Sequence, residues 1–366
     1  MNKIRVLQIQ PGLGVGGITS VVLNHYHNID KSMIKFDFAI FTPPTPERLN
    51  EAEQSGSRVY VLPRKSESYK AYKDELTKII NNGNYDIVHA HQNYQSFIPL
   101  YYAKKCGIRT RIAHAHATKI DKPTFFKKCL MLFSRLINPL IVTDYFSCGI
   151  KAGYKMFGRK KFNLLKNGIK IDNFRFSVEK RDAVREKMNW KNKLVIGNIG
   201  RLSEQKNQVF LVEIFAEIVK LKDNAILCIC GEGEKKDEIL DKAKALGIDD
   251  KVFLLGNRND VNELLSGFDV FVLPSLFEGL PVTGIEVLSN GLPAVMSDEV
   301  TDEFDEYNKI SFLSLKASKE IWAREILKKA TEGHDITMAE KMRQSGYNIS
   351  DSAKMLENFY KNASRR

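Results

Sequence analysis

Short apolar runs bounded by glycine, proline or charge recur along this chain, and stretches of helical length separate them. IRVLQI (4–9), FDFAIF (36–41), RVYVLP (58–63), DIVHAH (86–91), RTRIAHAH (109–116), DYFSCG (144–149) and FNLLKNG (162–168) make one series. LVIGNIG (194–200), AILCICGEG (225–233), KVFLLG (251–256), DVFVLPS (269–275) and PAVMSD (293–298) make a second. Helices are expected from about Ile18, over 68–82, near 95–106, and over 207–221, 234–246, 260–266 and 282–290. Strands joined through helices of that length require right-handed crossovers, which build parallel sheets. The reading is an α/β protein of two doubly wound domains facing each other, and 366 residues suit two such cores. The strand pattern pauses and charge rises over 169–187, so the boundary is placed there. The expected domains are 1–175 and 176–345, with an amphipathic helical tail at 346–366 that can pack back on the first.

Composition narrows the partners. The net charge is +12 and the pI about 9.2, an excess that favours an anionic partner such as a nucleotide diphosphate or a phospholipid surface. No zinc-finger spacing, RRM signature or long basic run points to nucleic acid. MNKIRVLQIQPG does not read as a signal peptide and no apolar run is long enough to span a bilayer, so a cytoplasmic chain beginning at Met1 is expected. The five cysteines, Cys106, Cys129, Cys148, Cys228 and Cys230, show no metal-binding spacing and read as reduced core thiols.

In open parallel sheets, ligands sit beyond the carboxyl ends of the strands, where helix N-termini face anions. Three segments fall at such ends. GLGVGGITS follows the first strand, and Gly12, Gly14, Gly16 and Gly17 allow close backbone approach. Its spacing is not the dinucleotide G-x-G-x-x-G, and no acidic residue ends a second strand to hold an NAD ribose. GRLSEQKNQ (200–208) puts Arg201 and Lys206 before a helix, where two cations suit a diphosphate or else form an ordinary exposed loop. SLFEGLPVTGIEVLSNGLP places Glu278 in a loop and Glu286 in the helix that follows. The carboxylates can accept from sugar or ribose hydroxyls, and the NH groups near Val282 and Thr283 can face phosphate; the alternative is a helix cap and a solvated side chain.

Together these segments resemble the family 4 retaining glycosyltransferases of GT-B fold, in the branch making capsular and exopolysaccharides. GRLSEQKNQ and FEGLPVTGIE match the family's G-R-x-x-x-x-K and E-x7-E motifs in order and spacing. The GG loop, DIVHAHQ, YFSCGIKAGYKMFG and LLKNGIKIDNF extend the likeness over about residues 4–315. The resemblance implies that Arg201 and Lys206 bind the donor diphosphate, that Glu286 holds the ribose hydroxyls and that Glu278 contacts the sugar. It implies backbone approach at Gly16 and Gly17, and a base flanked by Gly231, Asn257 and Arg258. His116 is the choice for the family's first-domain histidine near the sugar. His114 would share its face, and His89 and His91 end a strand in a similar way, so a packed structural role stays open for each. Many members have an acidic residue where this chain has Thr19.

The expected reaction moves a hexosyl or N-acetylhexosaminyl group from a UDP-sugar to a glycan or polyprenyl-diphosphate-linked glycan. The scheme needs no cofactor and no metal, since no DxD motif of Mg²⁺-dependent sugar transferases serves it. A nucleotide-sugar epimerase would want an acid/base pair instead, and a non-catalytic subunit would have lost a motif residue. The segment 122–142 mixes Lys122, Lys127, Lys128 and Arg135 with Phe125, Phe126 and leucines. It reads either as a helix lying on an anionic membrane at the inner face of the cell membrane or as a partly buried helix with a basic edge.

Overall fold

The computed structural model describes residues 3–14, 16–119 and 124–366, and the chain divides into two compact units. The first comprises Met1–Gly168 and Ile349–Arg366, the second Ile169–Asn348.

Seven strands form the sheet of the first unit: β1 (Ile4–Gly12), β2 (Ile34–Thr42), β3 (Val59–Val61), β4 (Ile87–Ala90), β5 (Thr110–Ala115), β6 (Asp144–Ser147) and β7 (Asn163–Leu164). They lie in the order β3-β2-β1-β4-β5-β6-β7, every pair parallel. The middle strands are buried on both faces, which is why they read as unbroken apolar runs. Val6, Phe36, Phe38 and Phe146 fill the core under helix Gly17–Asn28 and the C-terminal helix Ile349–Ala363. That last helix supplies Leu356 and Tyr360, and Tyr360 packs edge-on to Phe36.

In the second unit, β8 (Leu194–Ile199), β9 (Ala225–Cys230), β10 (Val252–Leu254), β11 (Val270–Leu273), β12 (Ala294–Ser297) and β13 (Ile310–Leu313) lie in the order β10-β9-β8-β11-β12-β13. All are parallel. Counted within the unit this is 3-2-1-4-5-6, the doubly wound order whose ligand crevice opens where the winding reverses. That point lies between β8 and β11 here, and between β1 and β4 in the first unit.

Several expectations shift. The division falls at Gly168/Ile169 and not at 175/176. The charged run forms helices Ile171–Phe174 and Val178–Lys187, the latter capped by Ser177, whose Oγ accepts from the Lys180 N–H. Arg181 and Arg185 both bind Asp269, which also receives the Val195 N–H at 2.8 Å, so this segment belongs to the second sheet. The last division falls at 348/349, and residues 346–348 stay with the second unit. Strand β13 and helix Pro46–Gln54 had no clear sequence signal. Not all cysteines are core thiols: Cys148, Cys228 and Cys230 are buried, Cys106 is half-buried and Cys129 is exposed.

Of the segment 122–142, Lys122 and Pro123 lie outside the described residues; Phe125–Ile141 form a helix flanked by Thr124 and Val142 in extended conformation. Met131, Ser134, Asn138 and Ile141 face inward, while Phe125 is 84% and Leu136 78% exposed. Among the described residues no helix is long and apolar enough to cross a membrane.

Candidate active site

After β8 the chain passes through Gly200 and Arg201 and buries Leu202 completely. It then makes a tight turn, Glu204–Lys206, before helix Gln208–Leu221. Asn207 takes a left-handed conformation (φ 57°) to enter that helix and donates from Nδ2 to Pro274 O at 3.1 Å. The Leu276 N–H donates to Gln205 O at 2.8 Å, and Gln205 Nε2 to Phe277 O at 3.0 Å. The loops after β8 and β11, neighbours at the reversal point, are thereby stitched together.

The stitching sets Lys206 Nζ 2.7 Å from Glu278 Oε1, and Ser275 Oγ donates to the same oxygen at 3.1 Å. Their side chains are only 16% and 11% exposed. The lysine stem lies across Gly200, where a Cβ would come within 3.1 Å of Lys206 Cε. A shielded ammonium held by one carboxylate keeps a strong field for any anion that enters.

Helix Val282–Asn290 begins beside this pair, at Pro281, with no side-chain cap. Its first N–H groups have no partners within the helix and form an anion-favouring end at Val282 and Thr283. Gly284 is required by packing, since a Cβ would stand 2.5 Å from the Phe304 ring. Glu286 lies one turn along, half-buried, its pKa raised to about 7 by burial with the Lys206 charge pulling the other way.

The remaining residues expected to hold the donor have surroundings of their own. Arg201 is 67% exposed and its guanidinium pairs with Glu234 at 3.0 Å. Gly231 (φ 142°) donates its N–H to Gly256 O at 2.8 Å, and a Cβ there would stand 2.0 Å from Gly200 O. The chain's own backbone demands that glycine. Asn257 is exposed, and Arg258 clamps Asp260 through two bonds, at 2.8 and 2.5 Å.

In the first unit, the glycine loop closes on Thr19, whose Oγ1 donates to Gly12 O at 2.9 Å. The hydroxyl needed for that closure stands where an acid is common in the resembled family. Among the described residues a Cβ on Gly14, Gly16 or Gly17 would meet nothing within 4 Å, and none of the three has a left-handed φ. None of the described residues requires glycine there.

At the ends of β4 and β5 the four histidines interlock. His89 Nε2 lies 3.1 Å from His114 Nδ1, and His91 Nδ1 lies 2.8 Å from His116 Nε2. His91 Nε2 meets Gln8 Oε1 at 2.8 Å, and His89 Nδ1 meets Tyr360 Oη at 2.7 Å. Burial holds the pKa of His89, His91 and His114 well below the usual range and that of His116 at about 3, so all four are neutral. His116 alone of the four is not fully buried, and Asn93 Oδ1 accepts its backbone N–H at 2.7 Å. His89, His91 and His114 offer ligand atoms within 4.8 Å of one another. Both nitrogens of His89 and His91 are already engaged, however, so a cation would have to displace those bonds.

The family described as "Glycosyl transferases group 1" matches residues 180–321, which hold the whole Lys206–Glu278–Glu286 site. EpsF of Bacillus subtilis (strain 168), described as a glycosyltransferase, is 30% identical over 372 residues, covering 98% of this chain and 97% of its own. The chain belongs to the glycosyltransferases. This glycosyltransferase is also 26% identical over 328 residues to the UDP-Gal:alpha-D-GlcNAc-diphosphoundecaprenol alpha-1,3-galactosyltransferase of Escherichia coli, covering 83% of each. Among solved structures, Anabaena HepE in complex with UDP-glucose has a TM-score of 0.79 at 16% identity, covering 98% of this chain and 100% of that one. At that identity the likeness shows the fold, which is GT-B.

Reasoning from sequence missed three residues of this glycosyltransferase: Gln8, Asn93 and Tyr360. Its one available signal was H-x-H at the ends of two successive strands, DIVHAH and RTRIAHAH, which a parallel sheet sets side by side.

Proposed function

We propose that this glycosyltransferase is a family 4 enzyme that acts with retention, taking a hexosyl or N-acetylhexosaminyl group from a UDP-sugar. The acceptor is a glycan or polyprenyl-diphosphate-linked glycan in surface polysaccharide synthesis. The observation that carries the reading is the shielded Lys206–Glu278 pair beside the open start of helix Val282–Asn290. A diphosphate arriving there exchanges Glu278 for its own oxygens on Lys206 and takes the free helix N–H groups. Glu278 is then released toward the sugar hydroxyls, and ionised Glu286 accepts from the ribose hydroxyls.

In the transfer step the acceptor oxygen attacks the anomeric carbon from the face the diphosphate leaves. The C–O bond to the diphosphate breaks, and the acceptor proton passes to the departing phosphate oxygen. Charge grows on the diphosphate, so Lys206 and the helix start contribute most where they are nearest to it. Arg201 joins only by leaving Glu234. The scheme routes no step through a metal or cofactor. Gly16 and Gly17 fit backbone approach to the donor, since none of the described residues requires glycine there. His116 meets a hydroxyl of the reacting sugar. The Escherichia coli relative, named for a diphosphoundecaprenol-linked sugar, supports the acceptor class.

The acceptor class also gives a role to the exposed apolar face of helix Phe125–Ile141. With Lys127, Lys128 and Arg135 beside it, that face suits an anionic leaflet at the inner face of the cell membrane. Phe126→Glu with Leu136→Glu should abolish co-sedimentation with anionic vesicles; retained binding would remove the membrane from the proposal.

The test of the whole reading is a panel of UDP-, GDP- and ADP-sugars scored by thermal stabilisation and by donor hydrolysis. Stabilisation by the UDP-sugars alone, lost in Lys206→Ala, is expected. No response to any donor would overturn it.

A further inference from the structure

The imidazole chain of the first unit can be followed proton by proton from the Gln8 carboxamide. Tyr360 Oη accepts the Gln8 Nε2 proton at 3.2 Å, and its own proton goes to His89 Nδ1 at 2.7 Å. With that assignment neutral His89 carries its proton on Nε2 and donates it to His114 Nδ1, and the His114 proton falls on Nε2, a buried nitrogen with no hydrogen-bond partner among the described residues. On the other arm Gln8 Oε1 can only accept, so the proton of His91 sits on Nε2. His91 Nδ1 is then a lone pair and takes its proton from His116 Nε2 at 2.8 Å. Neutral His116 is left with an unprotonated Nδ1.

Six groups thus share one polarity, and both arms start from the two ends of a single carboxamide. Turning Gln8 over would give its Nε2 proton to His91 and its oxygen to the Tyr360 hydroxyl. Every ring would then shift its proton, and His116 would present Nδ1–H. Gln8 is 1% exposed on β1, in register with His89, so the sheet holds it where both arms begin.

We propose that Gln8 is a positioning residue that selects the tautomer of His116, so that this ring offers a sugar hydroxyl a hydrogen-bond acceptor at Nδ1 in place of a donor. The inference rests on the reading of His116 given under Proposed function and adds which nitrogen recognises the substrate and what decides it. A lone pair in that position accepts from a hydroxyl and gives no bond to a substrate group that can only accept. Tautomer control through a buried side-chain partner has large consequences for turnover where a histidine touches the reacting groups.

Long-range proton–nitrogen correlation NMR on the full chain, labelled with ¹⁵N-histidine, reads each ring's tautomer directly, and single His→Gln variants assign the seven rings. Wild type should show His91 and His116 protonated at Nε2. Gln8→Leu should give His116 a mixed tautomer and lower kcat about tenfold or more with little change in donor KM. In Gln8→Glu, measured near pH 8, the carboxylate still accepts from His91, so His116 should keep its proton on Nε2 and kcat should recover. The Tyr360 arm reverses in that variant and moves the His114 proton to Nδ1.

Wild-type His116 protonated at Nδ1, or an unchanged His116 tautomer in Gln8→Leu, would overturn the proposal. So would a mixed tautomer at unchanged kcat. Full turnover in His116→Ala would instead remove the reading beneath it, and the tautomer spectra would still report the network.

Discussion

The two units wind their strands in the same order and put very different chemistry at the same topological point. In the second unit the reversal point carries an ammonium and two carboxylates, and in the first it carries neutral rings joined in a chain. Charge can stand in the second site because a salt bridge, a serine hydroxyl and the helix start support it. The first site lies deeper, with no acid beside the rings among the described residues, so burial strips their charge and leaves direction of hydrogen bonding as their only property. On the proposed reading one unit holds an anion and the other orients hydroxyls.

The largest test of that contrast is catalytic. Lys206→Ala should lower kcat by about 10²–10³-fold, since it removes a cation placed where charge develops. Arg201→Ala should do less, because Arg201 spends its charge on Glu234 at the surface. Equal losses in steady-state assays would show that Arg201 leaves Glu234 for the donor and that the resting geometry understates it.

Glycines give the next test. Gly231→Ala should destabilise the second unit by about 3 kcal/mol or more in urea unfolding, for want of room against Gly200 O. Gly17→Ala opens a helix in free space and should leave stability within about 1 kcal/mol of wild type. It should still weaken donor binding. A Gly17→Ala protein that binds and turns over normally would deny the loop its place in the site.

Acid should separate the units by stability. Rings whose folded pKa is depressed stabilise the fold fully above about pH 6.5, and that stability is lost as pH falls toward their folded values. His25, held at about 4, joins the four interlocked rings of the first unit. Each buried ring gives up stability over that range as the unfolded chain takes up a proton that the folded ring refuses. The second unit has one such ring, His334, also at about 4. Glu286 works against it: a carboxyl raised to about 7 favours the folded state when protonated, so its contribution grows as pH falls from about 7 to 4.5. Hydrogen exchange at pH 7.5 and 5.0 should show the first unit opening first; parallel loss in both would contradict the charge assignments.

The fold and the second site were largely legible because both are written in local sequence. Alternating apolar runs and helices announce the sheets, and GRLSEQKNQ and FEGLPVTGIE each hold their residues within one loop and helix. What the motif could not show was how its charges divide, since the Arg201–Glu234 pairing depends on side-chain packing. The boundary shifted because a polar run such as 169–187 reads as linker until Asp269, far along the chain, is seen to bind its arginines. The histidine chain was legible only in part. H-x-H appears twice, yet Gln8 and Tyr360 are 352 residues apart and meet because the last helix returns to the first sheet.

Donor binding offers the finest separation of the two sites, because only one of them titrates near neutrality. If ribose is held by ionised Glu286 with a pKa of about 7, the competent fraction rises from about one tenth at pH 6 to about nine tenths at pH 8. The apparent Kd for a UDP-sugar should therefore tighten by about tenfold across that range. The diphosphate of a sugar nucleotide keeps its charge there, and His116, held at about 3, is neutral throughout, so neither contributes to the slope. Glu286→Gln should bind with a pH-independent Kd near the weaker wild-type limit. Calorimetric titrations of both proteins decide it: a slope surviving in Glu286→Gln would mean that another group, outside this carboxylate, governs the donor.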